Sequence, residues 1–148
     1  MDAALTHIEE ALRTSARTGE TWFDADLHRR LGGVLLRLNR TGGVAHAEAE
    51  FRRALDIARS QSALLFELRA ARDLAWLLRD RGRTGEALAL LAPVYNSFAE
   101  GLGFPDLVEA RTLLEELGAA LPGHKGRALD QTRPSAGLDA PTMSPITR

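Results

Sequence analysis

The residues whose types could do chemistry are few: four histidines, His7, His28, His46 and His124, and a close pair of acids, Asp24 and Asp26. A neutral imidazole beside carboxylates could ligate a divalent metal or take a proton as a general base. Their spacing supports neither role. No histidine has a second histidine or a carboxylate at ligand spacing on a sensible helix face, and the chain has no cysteine. There is no Ser-His-Asp order with a nucleophile elbow, no His-Glu-x-x-His and no glycine-rich loop ending in Lys-Ser/Thr. Gly32-Gly33 fails as a phosphate loop, because no strand precedes it. Asp24 and His28 read as an ordinary i,i+4 pair, and His28 as a packed structural residue. The expectation is no catalytic residue, no metal, no cofactor and no enzyme.

One constellation fits molecular recognition instead. Arg69, Arg72, Trp76 and Arg79 fall within a narrow arc of a helical projection, about 100° from the Leu74/Ala75/Leu78 face. Arg29 and Arg111 occupy the same place as Arg72 in two similar stretches. A ladder of arginines with one indole suits an acidic, partly apolar protein or peptide: guanidinium forks take carboxylates and the indole takes an apolar side chain. The same residues also fit a solvated, ion-paired face, since Asp73 stands four after Arg69 and Arg30 four after Asp26. Of 19 basic residues only Lys125 is a lysine, so a shared arginine column can also arise by chance.

The elements that must position these residues are helices. Leu and Ala dominate, aromatics are 5% of 148 residues, and β-branched residues are scarce. Residues 3–16 place Ala4, Leu5, Ile8, Ala11, Leu12 and Ser15 on one stripe, and Gly19 ends that helix. A helix over 20–38 follows, apolar through Trp22, Phe23, Leu27, Leu31, Val34, Leu35 and Leu38. Helices over 44–60, 62–81 and 85–100 come next, with Thr84 as an N-cap and Pro93 as an internal kink. A final helix opens at Pro105 and runs to about 117. Four of the six prolines lie in 119–148, which reads as a disordered tail. The domain expected is 1–118.

The helices repeat. Ala87, Leu91 and Val94 stand forty residues after Ala47, Phe51 and Ala54. Before each set lies a helix with Leu, a small residue and a second Leu: Leu31-Gly32-x-x-Leu35 and Leu74-Ala75-x-x-Leu78. This is the W-x2-L-G-x2-Y then A-x3-F pattern of a tetratricopeptide repeat. The expected fold is all-α, an antiparallel helix-hairpin array of about six helices, a tetratricopeptide-like α-solenoid. Helix 3–16 reads as a second helix without its first, so its exposed stripe is a candidate homodimer contact or the scar of a lost upstream domain.

The chain also resembles the tetratricopeptide-like C-terminal region of bacterial adenylate/guanylate cyclase or regulator-type ATPase multidomain proteins. The likeness is carried by Gly19-Glu20-Thr21-Trp22-Phe23-Asp24-Ala25-Asp26-Leu27-His28-Arg29, by Glu50-Phe51-Arg52-Arg53-Ala54-Leu55 and by Leu91-Ala92-Pro93-Val94-Tyr95 through Pro105-Asp106-Leu107. It covers about residues 5–117 and none of the catalytic domains of such proteins. The resemblance implies a cytoplasmic, non-catalytic protein-interaction scaffold related to signal transduction. The competing expectation is a detached or vestigial fragment of such a protein with no independent activity. A net charge of −1 disfavours nucleic acid as a partner, and no apolar run reaches the ~20 residues of a membrane span.

Overall fold

In the computed structural model, residues 2–98 and 103–118 are described, and they form six α-helices. These are α1 (Asp2–Thr18), α2 (Asp24–Leu38), α3 (Gly43–Ser60), α4 (Leu64–Asp80), α5 (Thr84–Asn96) and α6 (Pro105–Glu116). No strand occurs among the described residues, and the fold class is all-α. The expected tail, 119–148, lies outside the described residues.

Turn chemistry sets the helix ends. Gly19 and Gly82 adopt φ of +81° and +78°, the left-handed conformation that closes a helix and that glycine reaches without steric cost. The Arg83 amide reaches back to the Leu78 carbonyl at 2.8 Å, completing a Schellman-type end to α4. Pro105 opens α6 in the first turn, where its missing N–H costs nothing.

Each helix packs against its chain neighbour, and the even-numbered helices also touch one another in succession. α2 lies on α3 and α4, while α4 lies on α5 and α6 as well as on α3. Among the described residues no helix touches one more than two places along the chain. α4 is therefore the central element, and Leu68, Ala70, Ala71, Leu74, Ala75, Leu77 and Leu78 are all buried in it. The stripe Ala47, Phe51, Ala54, Ala58 of α3 is also fully buried. Alanines there let backbones approach closely, and Phe51 fills the space left by Gly32 on α2.

Several sequence expectations are corrected at the element ends. The helix expected over 20–38 begins only at Asp24, and Trp22 stands before it, 66% exposed. The capping residue of α5 is Arg83 and makes no side-chain cap bond; Thr84 is already helical. α5 continues through Pro93 and stops at Asn96 rather than near residue 100.

Candidate functional site

Two surfaces deserve comparison: the arginine face of α2, α4 and α6, and a groove between α1 and α2. The six residues expected to bind a partner are distributed over α2, α4 and α6, and their surroundings are rich in ion pairs. Asp26, 1% exposed, accepts hydrogen bonds from Arg29 Nε at 3.0 Å, Arg29 Nη2 at 2.8 Å and Arg30 Nε at 2.6 Å. Burial alone would raise the Asp26 pKa; the bonds from Arg30 and Arg29 outweigh it and hold the carboxyl below its ordinary value of 3.8. Arg29 also reaches across to Asp73 on α4 at 2.9 Å.

The pattern continues one helix further. Arg72, 8% exposed, bonds Asp73 on its own helix at 3.2 Å and, on α6, Asp106 at 3.2 Å and Glu109 at 3.0 Å. Arg69 bonds Asp106 at 3.0 Å. Arg79 bonds Glu116 and, at 3.3 Å, Asp80. Arg111 lies 3.8 Å from Glu115. Trp76 is half-buried and receives the Arg72 guanidinium 5.1 Å from its ring centroid, a cation–π contact.

Arg29, Arg69, Arg72 and Arg79 are thus engaged by carboxylates of neighbouring helices. Arg29 and Arg72 each fasten one helix to the helix two places on. Sequence reasoning paired Asp73 with Arg69; the structure gives Asp73 to Arg29 and Arg72, and Arg69 to Asp106. Asp26–Arg30 forms as expected, and Glu48–Arg52, four apart on α3, is bonded at 2.9 Å.

The histidine chemistry is likewise structural. His28 donates from Nδ1 to Glu50 on α3 at 2.6 Å, and His46 lies 3.6 Å from the other Glu50 oxygen. Asp24 does not pair with His28; it accepts from the Ser15 hydroxyl at 2.6 Å. Among the described residues no group of histidines and acids could hold a metal.

The second surface is an open groove of about 790 Å³ between α1 and α2. Its floor is apolar, from Ile8 and Ala11 of α1 to Phe23, which precedes α2, and Leu27 of α2, with Asp24 among them. Glu10 and Glu20 stand on its rim, and so does Arg30, whose charge is already met by Asp26. Beyond the groove, the Trp22 and Phe23 rings meet tilted with centroids 4.9 Å apart, as do Phe23 and Phe66 at 5.6 Å. The Gln61 amide donates to the Thr21 carbonyl at 3.0 Å and holds this corner against the α3–α4 turn. Phe23, Asp24 and Leu27 were absent from the residues expected to bind. The signal was present in α1, whose Ala4, Ile8, Ala11 and Ser15 reproduce the spacing of Ala47, Phe51, Ala54 and Ala58.

No protein-family model, no curated protein and no solved structure matches the chain. No helix among the described residues is long and apolar enough to cross a membrane.

Proposed function

We propose that this chain is a non-catalytic protein–protein interaction scaffold of tetratricopeptide type, the role implied by its resemblance to the helical tails of bacterial cyclase and ATPase signalling proteins. The observation that carries the reading is the half-open stripe of α1. The same spacing is fully buried in α3, whereas in α1 Ala4, Ile8 and Ala11 remain only half-covered beside an apolar groove. Apolar surface left in contact with water costs roughly 25 cal/mol per Å², so a complementary protein surface gains by covering it. Titratable groups suited to chemistry are bonded into the fold, His28 to Glu50 and Asp26 to Arg29 and Arg30. The arginine face binds less well than its composition suggests, because its guanidinium groups already hold carboxylates.

Site-specific photo-crosslinking tests this. A benzophenone side chain is placed at Ile8 in the groove, at Arg79 on the arginine face, or at Val108 on the exposed side of α6. A discrete protein adduct at position 8, absent at 108, is the expected result. An adduct at 79 alone would move the binding surface to the arginine face. No adduct at any position would overturn the scaffold reading.

A further inference from the structure

We infer that the α1–α2 groove receives an amphipathic helix from a partner protein, recognised by the sequence Arg-x-Leu-(Gly/Ala)-x-x-Leu, with its arginine bound to Asp24. The inference rests on the scaffold reading and names the partner chemistry of its groove.

Two filled grooves of the same construction show what fits. α2 sits against α3 and α4, and α4 sits against α5 and α6. In each case a helix lies between a second helix and the next first helix. α1 and α2 provide the same two walls. Aligning Gly32 with Ala75 and the corresponding Leu114 puts Asp24 of α2 at the position of Asp106 of α6, and Leu27 at that of Glu109. Asp106 and Glu109 are the carboxylates that hold Arg72 of the preceding helix, and Asp106 also holds Arg69. Asp24 faces the groove with the Ser15 hydroxyl as its hydrogen-bond partner and no cation paired to it among the described residues.

The junction between α2 and α4 varies the theme instructively. Glu67, the α4 residue equivalent to Asp24, is bonded to Arg59 at 2.8 Å, and Arg29 goes to Asp73 instead. The α2 residue equivalent to Asp73 is Arg30, so Asp24 is the carboxylate α2 offers.

The wall on α1 adds the second specificity element. Ile8 occupies the position of Phe51, whose ring packs on Gly32, and of Leu91. A helix seated over Ile8 therefore needs a small residue there, flanked by leucines, as in Arg29-x-Leu31-Gly32-x-x-Leu35 and Arg72-x-Leu74-Ala75-x-x-Leu78. Glu10 and Glu20 on the rim, against an Arg30 already neutralised, favour a helix with basic flanks.

The probe is a labelled synthetic peptide of residues 62–81, which carries Arg69, Arg72, Leu74, Ala75 and Leu78. It is titrated against the full chain by fluorescence anisotropy, with sedimentation to record the oligomeric state. The expected result is saturable binding to a monomeric chain, weakened at least about tenfold by Asp24→Asn, since a charge-assisted bond is lost. Ile8→Asp should abolish binding while circular dichroism remains helical. Asp24→Arg paired with an Arg72→Asp peptide should restore it, which a merely unfolded variant could not do. Equal affinity in wild type, Asp24→Asn and Ile8→Asp would overturn the groove assignment and leave the scaffold reading to the crosslinking result. A chain dimer that Ile8→Asp dissociates would overturn it in favour of a second copy as occupant. A monomer that binds no peptide would also overturn it.

Discussion

The ring of Phe51 lies against the backbone of Gly32, so closely that a methyl group at position 32 would stand 2.6 Å from Cε1 and 2.8 Å from Cδ1. Both residues are buried, and the ring has no solvent to retreat into. Gly33, one residue on, has only the flexible end of Arg37 near it, at 3.9 Å. Neighbouring glycines should thus respond oppositely to alanine. Gly33→Ala gains helix propensity, about 1 kcal/mol. Gly32→Ala gains the same propensity but overpacks α2 on α3, a cost of about 1–3 kcal/mol. Urea unfolding of the two variants should show a higher midpoint for Gly33→Ala and a lower one for Gly32→Ala. Equal gains would mean that α2 and α3 do not approach as described.

Asp26 makes stability depend on acid. Its folded pKa lies below the ordinary 3.8. The unfolded chain therefore takes up the proton first, and the stabilisation is fully present above that value and lost as pH falls through the folded pKa. Glu48 adds in the same direction: bonds from Arg83 and Arg52 hold it below its usual 4.5. Thermal melting followed from pH 7 downward should be flat to about pH 4.5 and fall steeply below about 4. In Asp26→Asn the melting temperature at pH 7 should drop and the acid slope become shallower. An unchanged slope would show that the carboxylate is not coupled to folding.

Arg72 joins α4 to α6 through Asp106 and Glu109. Removing one member of a buried pair leaves the others without their counter-charge, at a cost of about 3–5 kcal/mol. Arg72→Met should approach the lower part of that range, because Glu109 is exposed and can turn to water. Arg72→Glu should be worse. Trp76 gives a direct signal: with Trp22 replaced by phenylalanine, its fluorescence should shift when the guanidinium leaves the ring. A variant as stable as wild type would return the arginine face to the list of free recognition surfaces.

Pro93 is an exposed residue inside α5 and denies the helix one backbone donor. Proline in a helix interior costs up to about 3 kcal/mol relative to alanine. Pro93→Ala should therefore raise the melting temperature, with the neighbouring Val94 and Tyr95 remaining buried. A fall in melting temperature would show that proline at this position is part of how α5 seats Val94 and Tyr95.

How far the sequence could be read follows from what each signal encodes. The alternation of small and large apolar residues at helical spacing located all six helices within a few residues, because burial of one face is a local, periodic property. Asp26–Arg30 was legible for the same reason, being four apart on one helix. The cross-helix partners of Arg29, Arg69 and Arg72 were not, because Asp73 and Asp106 lie 34 to 44 residues away and depend on how two helices cross. Trp22 was misplaced because apolarity alone put it on a helix that starts two residues later. The groove was half-legible: the stripe on α1 showed itself, but Asp24 acquires meaning only when α2 is laid over α6.

The pairing of each helix with near neighbours alone has a kinetic consequence. α1 is held by α2 and by no other helix among the described residues, whereas α4 is clasped by four. Opening should proceed from the edge inward, with α1 amides exchanging with deuterium first and those of α4 last. A helix docked beside α1 would give it a second neighbour. Occupancy would then be recorded as a slowing of exchange along α1, a gain of rigidity at the rim that needs no change of shape elsewhere.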